Sequence, residues 1–358
     1  MATGSEPHIS RLREEEIPEV IRFKAEVYGR RPSEDAAYFR WKFFLNPHRG
    51  EAVPFWLMRD HGRLLGGIGA LPVRMMIFGR ECMGEFACEM FIDRTQQRSG
   101  LGTVLMDAYI AESPLPLMMN TSVSLRRFLV KRGFFDLTDR LHFSFHPIRP
   151  GALMAEGLEG RWAGRAARLM GPLAGAVFET RAAALRPRPD PGVVVEEVTA
   201  FGPWAEEVWA LAAADYNLAT IRDLPYLRWK YEQHPRWTYT ILRAVRGGRA
   251  VGYLTFRLRS GEGDPMVVVQ EIFAPQKDSG ARLALLEHVR LAARRLGAIA
   301  LKALATDPVL RADLRRAGYI ETPSSPGMLY PRQPGFDRPE LQNIDTWYLT
   351  GGDSDLDY

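Results

Sequence analysis

Apolar and polar positions alternate along this chain so as to predict two runs of elements in the same order. The first run predicts a strand over 8–12, helices over 17–28 and 33–44, and strands over 54–60, 64–78 and 82–93. A helix over 100–112, a strand over 115–119, a helix over 124–132 and a strand over 141–146 complete it. The second run predicts a strand over 193–198, helices over 203–216 and 223–233, and strands over 239–245, 250–259 and 266–273. A helix over 281–296, a strand over 298–303, a helix over 308–316 and final strands follow. The strands are period-two runs bounded by turn residues, and the helices carry apolar residues three and four apart. Arg246-Gly247-Gly248-Arg249 is a tight hairpin signal. Antiparallel hairpins early and a crossover helix late give each half a mixed sheet, hence an α+β class.

The parallel reaches individual residues. Tyr38-Phe39-Arg40-Trp41-Lys42 recurs as Tyr226-Leu227-Arg228-Trp229-Lys230, and Pro47-His48 has a reversed echo in His234-Pro235. Ser99-Gly100 recurs as Ser279-Gly280, and Gly133-Phe134 as Gly318-Tyr319. Self-similarity at this period means a duplicated domain. The divisions are 1–146, a Pro/Ala/Arg-rich connector over 147–192, and 193–358. Within the connector Leu169, Met170, Leu173, Val177 and Phe178 suggest one or two packed helices. The repeated tryptophan reads as a core residue flanked by solvated cations.

One turn carries chemistry. Phe91-Ile92-Asp93-Arg94-Thr95-Gln96-Gln97-Arg98-Ser99-Gly100-Leu101-Gly102-Thr103 ends a strand and opens a helix. A helix start has unpaired amides and partial positive charge, and glycines let backbone approach an anion. It is neither a P-loop nor a dinucleotide fingerprint. Gln97-x-x-Gly100-x-Gly102 after a strand resembles the acyl-CoA signature of the GNAT acetyltransferase superfamily. Leu125-x-x-Phe128-Leu129-x-x-x-Gly133-Phe134 is similar to that family's later helix, so the resemblance covers about residues 8–146. It implies two tandem GNAT-like domains and an acyl-CoA-dependent N-acyltransferase, acetyl-CoA being the usual donor. The acceptor would be a small-molecule amine. The resemblance implies CoA contacts from Gln97, Arg98, Ser99, Gly100, Leu101, Gly102 and Thr103. It also implies that the backbone of Phe91–Asp93, centred on Ile92 and including Asp93, faces the thioester carbonyl.

The base is expected on the preceding strand. Glu85 and Glu89 are four apart and so share a face, with Cys88 and Met90 opposite unless a bulge intervenes. Glu89 lies in an apolar run, where burial would raise its pKa toward that of a base. It is the first choice, with Glu85 as the register alternative. A structural pairing with an arginine such as Arg40 is the other reading of Glu89. The tyrosine that often serves as acid in this family is replaced by Leu129, which leaves Ser122, Ser124 or Cys88, or a loss of catalysis. At an offset of 180, Lys277, Gly280 and Arg282 stand for Gln97, Gly100 and Gly102, and Leu314 again replaces the tyrosine. An arginine at the third position should block the anion pocket, so the first half binds acyl-CoA and the second is degenerate. Two alternatives remain: a Fem-type aminoacyl transferase, also tandem, and an acyl-CoA-binding scaffold without turnover.

Composition narrows this further. With 46% hydrophobic and 25% charged residues over 358 positions, the chain reads as globular with two cores. The formal charge of +4 is diffuse, without a basic block interleaved with aromatics, so no nucleic-acid partner is expected. Cys82 and Cys88 are about 20 Å apart along one strand, too far for a disulfide, which suits a reducing cytoplasm. No run of about 18 apolar residues and no leader-like segment is present. His142 and His146 lack further ligands, and no metal is expected.

Overall fold

The computed structural model describes residues 7–29, 35–97, 99–119, 121–137, 141–156, 190–261, 263–322, 328–331 and 338–353. In the first half these form β1 (His8–Arg11), α1 (Ile17–Tyr28), α2 (Ala36–Phe43), β2 (Phe55–Asp60), β3 (Arg63–Ile77) and β4 (Arg80–Ile92). They continue with α3 (Leu101–Glu112), β5 (Pro116–Met119), α4 (Val123–Lys131), β6 (Phe135–Asp136), β7 (Phe143–Pro147) and α5 (Pro150–Glu156). The second half has β8 (Val193–Val198), α6 (Pro203–Ala212), β9 (Leu218–Thr220), α7 (Leu224–Leu227), β10 (Thr240–Arg246), β11 (Arg249–Gly261) and β12 (Gly263–Phe273). It ends with α8 (Ser279–Arg295), β13 (Ala300–Leu304), α9 (Pro308–Arg316), β14 (Ile320–Glu321), β15 (Met328–Tyr330) and β16 (Trp347–Tyr348). The apolar positions expected in helices at 169–178 lie outside the described residues.

Two mixed sheets result. One runs β1-β2-β3-β4-β5-β15-β6, with β9 pairing the far end of β3 and β16 pairing β9; the other runs β14-β7-β13-β12-β11-β10-β8. The α+β class and the tandem arrangement are both present. The sheets do not follow the division at residue 146. β7, the last strand of the first run, joins the second sheet beside β13, and β15 of the second run joins the first sheet beside β5. The first half thus contributes β7 to the second half's sheet, and the second half contributes β9, β15 and β16 to the first half's.

The duplicated motifs meet at the junction. Trp41 and Trp229 stack with ring centroids 4.8 Å apart. Each indole N–H donates to the other's backbone carbonyl, both at 2.9 Å. Asp35 and Asp223 each accept the amide three residues on at a helix start. His48 stacks on Tyr226 of the other half, and the Arg236 guanidinium lies over Tyr38. The repeat is therefore a pseudo-twofold contact, not merely a packed tryptophan. Lys42 is buried rather than solvated. The hairpin at Gly247-Gly248 has positive φ at both residues, as its tight turn requires.

Candidate functional site

The turn between β4 and α3 is held by a network around Asp93 and ends in an uncapped helix start. Asp93 closes it from below. Its carboxylate accepts from the Thr95 amide and hydroxyl, both at 2.8 Å, and from Arg63 at 2.6 Å. Thr95's hydrogen bonds hold the Asp93 carboxyl below the usual carboxylate range. Gly100 is the N-cap of α3 with φ 92°, a conformation glycine adopts without a Cβ penalty. No side chain caps the helix; the nearest approach is a 3.4 Å bond from the Leu101 amide to Ser99 Oγ. The Thr103 amide donates to Gly100 O at 2.9 Å, so the amides of Leu101 and Gly102 are the ones at this helix start that a pyrophosphate would need. Gln97, Ser99 and Gly100 are exposed. Arg98 lies outside the described residues. The Asp93 amide donates to Leu65 O at 2.8 Å. It is consumed by the sheet, and strand alternation turns the Ile92 amide toward the side away from β3.

Beyond the turn, the sheet opens. β4 and β5 run parallel and pair only from Glu85↔Pro116 to Ala87↔Met118. There β4 bulges: Glu89 and Met90 together oppose Ile68, and Glu89 takes φ 56°. The bulge turns β4 away from β5. A cavity of about 210 Å³ lies in the opening, lined by residues including Cys88, Glu89, Met119 and Thr121. A second cavity of about 380 Å³ starts at Gly100, Gly102 and Thr103 and shares Met90, Met106 and Leu125 with the first. A continuous groove thus runs from the helix start into the sheet.

No family model and no curated protein matches the sequence. Solved structures do match. A probable N-acyltransferase from Enterococcus faecalis V583 is 12% identical, covers 91% of this chain and 72% of its own, with a TM-score of 0.59. A GCN5-related N-acetyltransferase from Anabaena variabilis ATCC 29413 is 10% identical over 91% and 72%, with a TM-score of 0.61. Saccharomyces cerevisiae N-myristoyltransferase with bound myristoyl-CoA is 11% identical over 97% and 84%, with a TM-score of 0.55. The chain has a tandem GNAT-like fold.

In the first GNAT-like half, the bulge overturns the expected pairing of carboxylates. Glu85 lies beside Ser113 and Tyr109 on the α3 face, whereas Glu89 turns to the α1–α2 face. One extra residue in β4 reverses the parity between them. Glu89 is not the raised-pKa group that its apolar neighbours suggested. Burial pushes its pKa up, but the ammonium groups of Lys42 and Lys24 more than offset this and hold it at about 2. Lys42 Nζ donates to Glu89 Oε1 at 2.9 Å, and Lys24 Nζ bonds Oε2. Arg40, the partner weighed from sequence, binds Glu14 instead. Glu85 is the carboxyl that burial raises, but it does not line the cavity. Leu129, in place of the family's tyrosine, is fully buried, while Ser122 accepts from the Leu125 amide to cap α4. Sequence reasoning missed both lysines, because a lysine at a helical position reads as surface.

In the second GNAT-like half the same places are filled from within. α8 is capped by Asp278, which accepts from the Ala281 amide at 3.0 Å and is gripped by Arg246. Arg282, where Gly102 stands in the first half, is 1% exposed. Its guanidinium donates to Pro275 O, Gln276 O and Asp313 Oδ2 at 2.5, 2.8 and 2.7 Å. The expected block is thus an arginine folded into the turn itself. The sheet opening is filled too. β12 and β13 pair only as far as Val269↔Ala303. There the chain's own segment 347–353 enters, bridging Thr350 to Ala305 on one side and hydrogen-bonding Glu271 on the other. Glu271 and Asp353 share the buried Arg222. Burial raises Glu271 to about 7 despite that arginine.

Proposed function

We propose that the protein is an acyl-CoA-dependent N-acyltransferase whose donor site lies in the first half. The observation that carries this is the uncapped Gly100–Gly102 helix start leading into an open cleft between β4 and β5. The amides at the uncapped start of α3, Leu101 and Gly102, receive the pyrophosphate, and the groove past Met106 and Leu125 takes the pantetheine arm. The Ile92 amide faces the thioester carbonyl, as the resemblance implies. The amine nitrogen attacks that carbonyl carbon to form a C–N bond while the C–S bond breaks. The sulfur leaves with its electron pair and takes a proton from solvent, and the amine proton goes to solvent. This gives an amide and free CoA thiol. Glu89 moves no proton in this scheme: tied to Lys24 and Lys42, it fixes the bulge that opens the cleft.

The acceptor is an amine of unassigned identity, and the site of action is the cytoplasm. Among the described residues no helix is long and apolar enough to cross a membrane, neither cysteine forms a disulfide, and no group of side chains could hold a metal. A second reading, acyl-CoA binding without turnover, is favoured by the buried Leu129 and the locked Glu89. Titration calorimetry with CoA tests the donor site, and absence of binding at millimolar CoA rejects both readings. Thiol release from acyl-CoA with pooled amines then separates them: release supports the transferase, and binding without release supports the second reading.

A further inference from the structure

We infer that the acyl group this site accepts is a medium-length chain of about four to eight carbons rather than acetyl alone; this rests on the donor site proposed above. The lining of the inner cavity motivates it. Of the chain's 13 methionines, Met90, Met106, Met118 and Met119 all border this one space, with Ile68 and Leu125 between them. Met106, Met118, Met119 and Ile68 are otherwise buried, so the cavity's floor is core. Methionine is unbranched and polarisable, and fits ligands of variable shape. The cavity is not wholly apolar, because Glu89 and Thr121 line it beside the methionines. Its volume of about 210 Å³ still exceeds what a thioester and a methyl group fill, since an enclosed apolar hole of about 150 Å³ holds a six-carbon ring.

The outer cavity, beginning at Gly100 and Gly102, is separate space for the pantetheine arm. A thioester at the β4 bulge would point its chain at Met118, Met119 and Ile68. The lining also sets a limit: Glu89, held on both oxygens by Lys24 and Lys42, borders the same cavity, and an apolar chain that outgrows the methionine-lined part would meet that ion cluster. Each methylene buried against methionine and isoleucine should tighten binding about fourfold at most.

The test is calorimetric, on the full chain, with CoA and acetyl-, butyryl-, hexanoyl-, octanoyl- and myristoyl-CoA. The expected result is an affinity that rises roughly tenfold to hundredfold from acetyl- to hexanoyl-CoA, levels at octanoyl-CoA and falls at myristoyl-CoA. Met118→Phe and Met119→Phe, each checked for an intact melting transition, should flatten that rise. Met118→Ala should move the optimum to a longer chain. Equal affinity for acetyl- and hexanoyl-CoA, with CoA itself binding, overturns the chain-length inference alone. Tightest binding to myristoyl-CoA overturns the ceiling set by Glu89. Failure of CoA to bind overturns the donor site and this inference together.

Discussion

The two helix starts, at Gly100 and at Ser279, share a backbone and differ in what fills them. In the first, a residue without a side chain caps α3, and the space beyond it is open. In the second, Asp278 caps α8, Arg282 satisfies the turn's carbonyls and the chain's own tail fills the strand opening. A helix start attracts an anion only while its amides remain unspent. The difference between an open helix start and a filled one is thus a few side chains, with the backbone held constant. The second half fills the matching places with internal groups, and it shares strands and the tryptophan stack with the first.

The most drastic way to break the comparison is to separate the halves. Residues 1–146 alone lack β15, which covers the edge of β5, and residues 193–358 alone lack β7. Neither should show a cooperative thermal transition; a sharp melt from either fragment would mean that the strand exchange is dispensable. Next in size is the exchange of the deciding residue. Gly102→Arg should weaken CoA binding at least a hundredfold by calorimetry, because its side chain would enter the groove beside Met90. The reciprocal Arg282→Gly should leave CoA stoichiometry at one, since Asp278 still caps α8 and the tail still fills the opening. It should also lower stability by about 3 kcal/mol, as the buried Asp313 loses its buried cation and keeps only Ser279 and the exposed Arg316. A second CoA equivalent would show that the arginine alone closes the site.

Smaller effects follow from the two buried glutamates. Glu89→Gln should cost about 3 kcal/mol and lower the melting temperature by several degrees, because it leaves Lys24 and Lys42 without their shared counter-charge. Its folded pKa lies below its unfolded value, so the stability it lends is present above about pH 4.5 and lost as pH falls toward 2. The wild-type and Glu89→Gln melting curves should therefore converge in acid; a constant gap between them would refute the ion cluster. Glu271 has the opposite sign. Its folded pKa near 7 makes it unfavourable as pH rises from 4.5 to 7. Glu271→Gln should accordingly gain on the wild type by a degree or two between pH 5 and pH 8. A pH-independent difference would show that Arg222 keeps Glu271 ionised throughout.

Much of this was legible in the sequence. Helices over 17–28 and 308–316 and the strand over 193–198 have the bounds that periodicity predicted. The internal repeat disclosed the duplication, and Arg282 in the place of Gly102 marked the closed half. What was not legible came from long-range geometry. β15 is three residues long and carries no periodic signal, so its insertion beside β5 could not be read. A bulge is invisible to an alternation count, so Glu85 and Glu89 were placed on one face when they lie on two. Lys24 and Lys42 read as solvated because helical position says nothing of a carboxylate arriving from a distant strand.

The exchanged strand also sets a schedule for synthesis. Met118 and Met119 present a bare strand edge until Met328–Tyr330 arrives to pair with it, and about 210 residues of chain separate the two. At about 5–20 residues per second the ribosome needs roughly 10–40 s to supply them. Throughout that interval the nascent first half exposes an apolar edge open to pairing with neighbouring chains. The first sheet is therefore completed only after most of the second half has been synthesised.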